Sequence, residues 1–175
     1  NAISKYYPTE VLSPVCRTVQ VQYPAVLRGR QSVDIRPQCS GLIARICIDE
    51  GDCVKKGQTL FVIDQAPYFS ALKTASANVL QAEVRLATAR LALDSKEVLF
   101  KEHVISDYEL QTARNELKVA EAALAQMQAQ CENARMELAY TEVKSPVDGV
   151  AGMITYRVGA LVDRNITEPL IRVSD

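Results

Sequence analysis

Pro37-Gln-Cys-Ser-Gly41-Leu-Ile-Ala-Arg-Ile-Cys-Ile-Asp-Glu-Gly51-Asp-Cys-Val54-Lys-Lys-Gly-Gln-Thr-Leu60-Phe-Val-Ile-Asp64 has a second copy downstream, Pro146-Val-Asp-Gly149-Val-Ala-Gly-Met-Ile-Thr-Tyr-Arg-Val-Gly159-Ala-Leu-Val162 and onward to Ser174. Gly41 corresponds to Gly149, Gly51 to Gly159 and Val54 to Val162 at one constant offset. Leu60 reaches Leu170 after a two-residue insertion. A stretch that recurs marks a structural unit used twice. Two half-units parted by about eighty residues read as one small β domain split open, with something inserted in its middle.

Within the first copy, Leu42–Ile48 has the alternation of a strand, and Asp49-Glu-Gly51-Asp52 is a turn in which glycine supplies the unusual dihedral. Leu60–Ile63 is a short buried strand. Ahead of it, residues 1–14 hold Pro8 and Pro14 and read as an extended arm. Val15–Leu27 carries Val19, Val21, Tyr23 and Ala25 at alternate positions, a strand with Pro24 as an edge mark. Gln31–Arg36 leads into the first copy.

From Pro67 the period becomes helical. Leu72, Val79, Leu86, Leu93 and Phe100 recur every seven residues, with Ala75, Ala82, Ala89 and Lys96 between them. The device repeats with Leu110, Leu117, Leu124, Cys131 and Leu138, alternating with Ala113, Ala120, Met127 and Ala134. Heptads of large residues alternating with small ones predict two closely packed helices in an antiparallel coiled coil. Each arm would reach about 52 Å at 1.5 Å per residue. Pro67 suits a first-turn position. Ser106-Asp-Tyr-Glu109 is a capping box, with Ile105 and Leu110 as its hydrophobic staple.

The composition narrows the classes. The chain has 175 residues, is 48% hydrophobic but only 6% aromatic, lacks Trp and carries a net charge of −1. That profile suits Ala-rich helix seams and small β domains. No basic stripe points to nucleic acid, and no run of eighteen apolar residues predicts a membrane span. The five cysteines, Cys16, Cys39, Cys47, Cys53 and Cys131, form no C-x-x-C pair. Most simply they are small core or edge residues. The alternatives are a disulfide between Cys47 and Cys53, and a metal site drawn from Cys39, Cys47, Cys53 and His103.

The first copy, with Gly41, Gly51-Asp52, Val54-Lys55-Lys56-Gly57-Gln58 and Leu60, resembles the biotinyl/lipoyl-domain family, in which two half-motifs interlock into a flattened sandwich. Carriers of that family bear a modified lysine at the hairpin between the halves. Here that place reads Val62-Ile-Asp-Gln-Ala-Pro67, without lysine. A lipoyl domain interrupted by a helical hairpin, returning through Leu138-Ala-Tyr-Thr141-Glu-Val-Lys-Ser-Pro146, is similar to the periplasmic adaptor subunits (membrane fusion proteins) of tripartite efflux pumps. The hairpin length resembles the resistance-nodulation-division branch.

The resemblance implies an α+β fold: a split lipoyl-like β-sandwich with an inserted α-helical hairpin, plus a strand of a partial or absent β-barrel. The expected units are residues 1–34 (arm and barrel-type strand), 35–66 (first lipoyl half), 67–142 (hairpin) and 143–175 (second half). It implies a non-enzymatic role without cofactor. The adaptor would link an inner-membrane transporter to a TolC-type outer-membrane channel and assemble as a trimeric or hexameric ring in the periplasm, attached to the inner membrane by a lipid anchor. Because such adaptors continue into further β domains, the chain is expected to be a piece of a longer protein. An ATP-driven or type I secretion exporter is the alternative partner system. A biotin or lipoate carrier, and a purely structural coiled coil, are the alternatives from other classes.

In the family the hairpin tip docks on the channel through Arg, then Leu four residues on, then Ser seven further. Leu99 and Ser106 match that spacing. Ser95 stands at the Arg position, with Lys96 beside it as the candidate substitute. Ser106 is either a cap alone or a cap and a channel contact, and Leu99 either a flank residue or a docking anchor. His103 is either a solvated turn residue or a pH-sensitive contact. Lys55 and Lys56 are either a solvated turn or a contact to a neighbouring protomer in the ring.

Overall fold

In the computed structural model, which describes residues 8, 10, 11, 20–23 and 31–175, each half of the repeat contributes a short strand to the sheet of the other. The first half comprises β1 (Ser32–Ile35), β2 (Gly41–Ile46), β3 (Cys53–Val54) and β4 (Thr59–Ile63). Two helices follow, α1 (Ala66–Lys101) and α2 (Asp107–Tyr140). The second half is β5 (Glu142–Lys144), β6 (Gly149–Ala151), β7 (Leu161–Val162) and β8 (Ile171–Ser174). One sheet runs β1-β8-β6-β3 and the other β5-β4-β2-β7, with every pair antiparallel.

The exchange is symmetric down to single hydrogen bonds. Val54 pairs with Gly149, and its counterpart Val162 pairs with Gly41. The Gly51 N–H donates to the Ala151 carbonyl at 2.8 Å, and the Gly159 N–H to the Ile43 carbonyl at 2.8 Å. Gly51 and Gly159 both stand at positive φ (90° and 87°), which only glycine adopts without strain. The core between the sheets contains Ile43, Leu60, Phe61 and Ile63 from one half and Val162, Leu170, Ile171 and Val173 from the other. Leu60 and Leu170, the equivalent positions on either side of the insertion, are both fully buried.

The hairpin matches its heptads. Every seam position from Leu72 to Lys96 and from Leu110 to Leu138 is buried or half-buried. Phe100 stays open, because the layer that would cover it lies beyond the start of α2. At 36 and 34 residues, the helices are about 54 and 51 Å long. At the root, β4 passes through Asp64 and Gln65 alone into α1, and the Asp64 carboxylate caps the Ala66 N–H at 3.1 Å. The Gln65 amide donates to Thr141 Oγ1 at 2.9 Å, and Thr141 Oγ1 donates to the Leu138 carbonyl at 2.6 Å. Tyr68 Oη–H donates to the Ser40 carbonyl at 2.6 Å. Both helix ends are therefore tied to the sandwich.

Some expectations change. The sandwich includes Ser32–Asp34, because β1 pairs with β8 from Ser32 onward. Of Val15–Leu27 only residues 20–23 are described, and these belong to no strand. The remainder lies outside the described residues. Cys47 and Cys53 do not form a disulfide. Cys47 continues β2 in one sheet while Cys53 belongs to β3 in the other, so the tight turn between them crosses from layer to layer, about 10 Å apart. The metal site also fails: His103 lies at the far end of the hairpin from Cys39, Cys47 and Cys53. Among the described residues no cluster of three or more His, Cys, Asp or Glu could hold a metal. Cys39 is buried under Tyr68, and burial pushes its thiol up, away from the reactive thiolate.

A methyl group added at Gly149 would stand 2.7 Å from the Ser174 carbonyl oxygen, which is backbone and cannot rotate away. Gly149→Ala is expected to destabilise the sandwich by about 1–3 kcal/mol, with no loss of hairpin helicity. Urea unfolding monitored beside far-UV circular dichroism checks this.

Candidate docking tip of the hairpin

The tip is built from two helix ends. At the end of α1, the His103 N–H donates to the Phe100 carbonyl at 3.0 Å and the Val104 N–H to the Leu99 carbonyl at 2.9 Å. This pair of bonds is a Schellman motif, and it requires a left-handed residue at the position His103 occupies. His103 has φ +57°, the sole positive-φ residue other than glycine among the described residues. Glycine is the usual occupant there. A histidine costs roughly 1–2 kcal/mol more in that conformation. The motif also sets Leu99 and Val104 at the two positions that are commonly in apolar contact.

Four residues later α2 begins. Ser106 Oγ accepts the Glu109 N–H at 3.3 Å, the expected cap. The reciprocal half of the capping box is replaced: the Glu109 carboxylate accepts from Lys96 Nζ at 3.4 Å. A charge-assisted bond across the seam competes successfully with a bond to a backbone amide. Lys96 is therefore engaged along the side of the hairpin, one turn below Leu99. Leu110 is buried and Ile105 half-buried, as a staple requires.

Leu99 is 39% exposed, but Val104 and Tyr108 are far more open, at 66% and 80%. Sequence reasoning passed over these two. Their signal was an apolar residue within the turn itself and an aromatic on the outward side of the heptad. Leu99, Val104 and Tyr108 are exposed apolar or aromatic side chains at this end of the hairpin, close in sequence to His103 and Ser106. Tyrosine is well suited to contact surfaces, combining large apolar area with a polar end.

At the opposite end of the molecule, Lys55 and Lys56 occupy the turn between β3 and β4. The Lys55 N–H donates to Gln58 Oε1 at 3.0 Å and the Lys56 N–H to Asp148 Oδ1 at 2.7 Å. The backbone is thus fixed by the second half of the repeat, while both side chains remain exposed.

A family model described as "RND MFP, barrel-sandwich hybrid domain" matches residues 31–174. The chain belongs to this family of membrane fusion proteins. It is 34% identical to the multidrug resistance protein MdtE of Escherichia coli (strain K12), covering 93% of this chain and 42% of that protein. It is 32% identical to the multidrug efflux pump subunit AcrA of the same strain, covering 90% of this chain and 41% of AcrA. The crystal structure of MacA from Actinobacillus actinomycetemcomitans superimposes with a TM-score of 0.74 at 26% identity, over 85% of this chain and 50% of that one. The chain thus spans about two-fifths of the length of these two curated relatives. None of its described helices is long and apolar enough to cross a membrane.

His103→Gly is expected to stabilise the hairpin by about 1 kcal/mol, by removing the cost of the left-handed residue. Ser106→Ala is expected to destabilise it by about 1 kcal/mol, through loss of the cap. Thermal unfolding followed by helical circular dichroism measures both, and a fall in stability for the glycine variant would contradict the turn geometry.

Proposed function

We propose that the chain is the sandwich-and-hairpin part of a non-enzymatic periplasmic adaptor that couples an inner-membrane transporter of the resistance-nodulation-division type to a TolC-type outer-membrane channel. The observation that carries this is the apolar tip, Leu99 with Val104 and Tyr108, held at the end of a stiff projection about 50 Å long. Membership of the membrane fusion protein family, and likeness to a multidrug resistance protein (MdtE) and a multidrug efflux pump subunit (AcrA), support the same reading. The exported compounds would be drugs or other small molecules.

In this reading Leu99 and Ser106 meet the channel directly, with His103 between them. Lys96, engaged with Glu109, supports the tip from the side. The adaptor is anchored to the inner membrane, through a lipid group, and surrounds the transport path as a trimeric or hexameric ring. Lys55 and Lys56 lie where sandwich domains of neighbouring copies would touch. Transport energy comes from the transporter; the adaptor contributes shape and reach.

Leu99→Cys, Val104→Cys, Tyr108→Cys and Ser106→Cys, each in the full-length protein, are expected to cross-link to the channel in intact cells. A cysteine placed at exposed Val119 on the shaft should not. Export that persists without any tip cross-link would rule out docking through this surface.

A further inference from the structure

The seam of the hairpin is incomplete near the tip. On α1 the small positions Ala75, Ala82 and Ala89 are followed at the same spacing by Lys96. An ammonium group keeps its water, so a lysine there carries its head out of the seam to the surface. Lys96 Nζ accordingly stands 3.4 Å from Glu109 Oε2. Ala113, buried on α2, has only a methyl group to fill the space. A cavity of about 180 Å³ is left, lined by Lys96, Tyr108, Glu109, Thr112, Ala113 and Glu116.

Its walls have a definite chemistry. Glu109, Thr112 and Glu116 recur at helical spacing on one face of α2, with Tyr108 beside them. The Thr112 hydroxyl donates back to the Tyr108 carbonyl at 2.9 Å, so its proton is not offered to the cavity. One cation stands against two carboxylates. Lys96 is matched by Glu109, and Glu116 makes no ion pair among the described residues. The notch therefore combines an apolar floor, an aromatic wall and one uncompensated negative charge. It is too small for a drug-sized ligand, whose pockets run from roughly 300 to 1,000 Å³. It suits one long side chain, taken up as a hole takes a knob in a coiled coil.

We propose that this notch receives an arginine side chain of the outer-membrane channel, with its stem over Ala113 and its guanidinium against Tyr108 and Glu116. The proposal rests on the docking reading above and names the chemistry that the partner brings to it. Arginine fits better than lysine, because its planar head stacks on an aromatic face and meets a carboxylate through two parallel bonds. An aliphatic side chain would fill the volume but cover Glu116 without pairing it, which is costly. Ala113 lies seven residues beyond Ser106, so the notch is about 10 Å back from the cap. A channel that fills it holds the side of the hairpin as well as its end.

Val104→Cys in the full-length protein serves as the reporter, with cross-linking to the channel in intact cells as the readout and helical circular dichroism as the control for folding. Glu116→Lys, a change at an exposed position, is expected to lower the cross-link yield at least about tenfold, while Glu116→Asp keeps most of it. Ala113→Leu fills the notch and is expected to lower the yield as strongly, with helicity intact. Should the leucine cost helicity, Thr112→Met fills the notch from its exposed wall instead. If the filling variant lowers the yield and Glu116→Lys does not, the notch takes an apolar side chain and the arginine is overturned. If Glu116→Lys alone lowers it, the charge acts at the surface and the notch stays empty, which also overturns the proposal. If neither lowers it, the notch is no part of the contact, while docking at the tip stands. If Val104→Cys fails to cross-link without these changes, in cells that still export, docking at the tip fails and the notch with it.

Discussion

The antiparallel pairing of β4 with β5 constrains everything between them. Phe61 opposes Val143 and Val62 opposes Glu142, so whatever the chain inserts after Ile63 must end beside the strand it left. An antiparallel helical hairpin with nearly equal arms meets that condition, and the seam keeps the arms equal. Each buried leucine contributes about 1.5–3 kcal/mol, whereas exposed pairs such as Arg135–Glu132 contribute at most about 1 kcal/mol. Register is therefore a property of the Leu and Ala layers, with the Gln65–Thr141 and Tyr68–Ser40 bonds fixing the root.

That constraint also locates function. In the carrier domains this sandwich resembles, the turn between the halves is where a modified lysine is displayed. Here the same place launches two helices, so the exposed end of the domain is moved about 50 Å outward. In the proposed adaptor, the tip is the surface that meets the channel. The seam residues hold the hairpin, and the outward residues take no part in closing it.

Much of this was legible in the residues. Gly41, Gly51, Val54 and their counterparts revealed the split sandwich, because backbone pairing and positive φ restrict what those positions accept. The heptads gave both helices to within a residue or two of Ala66–Lys101 and Asp107–Tyr140. What escaped depended on long-range geometry. Cys47 and Cys53 are close in sequence, yet the turn between them changes sheets. Glu109 left its capping role for Lys96, a partner thirteen residues away on the other arm. His103 sits in a glycine position, so the usual mark of a helix end was missing. Val104 lies in the turn at the tip and Tyr108 in the first turn of α2, and only the folded hairpin shows how far each is exposed.

The central claim is that the hairpin acts through its reach, with the sandwich indifferent to its length. Removing residues 86–92 and 115–121 from the full-length protein deletes one heptad from each arm at matching heights. Seam phase and the return to β5 are preserved, and the tip moves down by about 10 Å. Drug export by cells carrying this variant is the decisive measurement. The account predicts a folded, membrane-attached protein that no longer supports export, and full export from the shortened hairpin would contradict it.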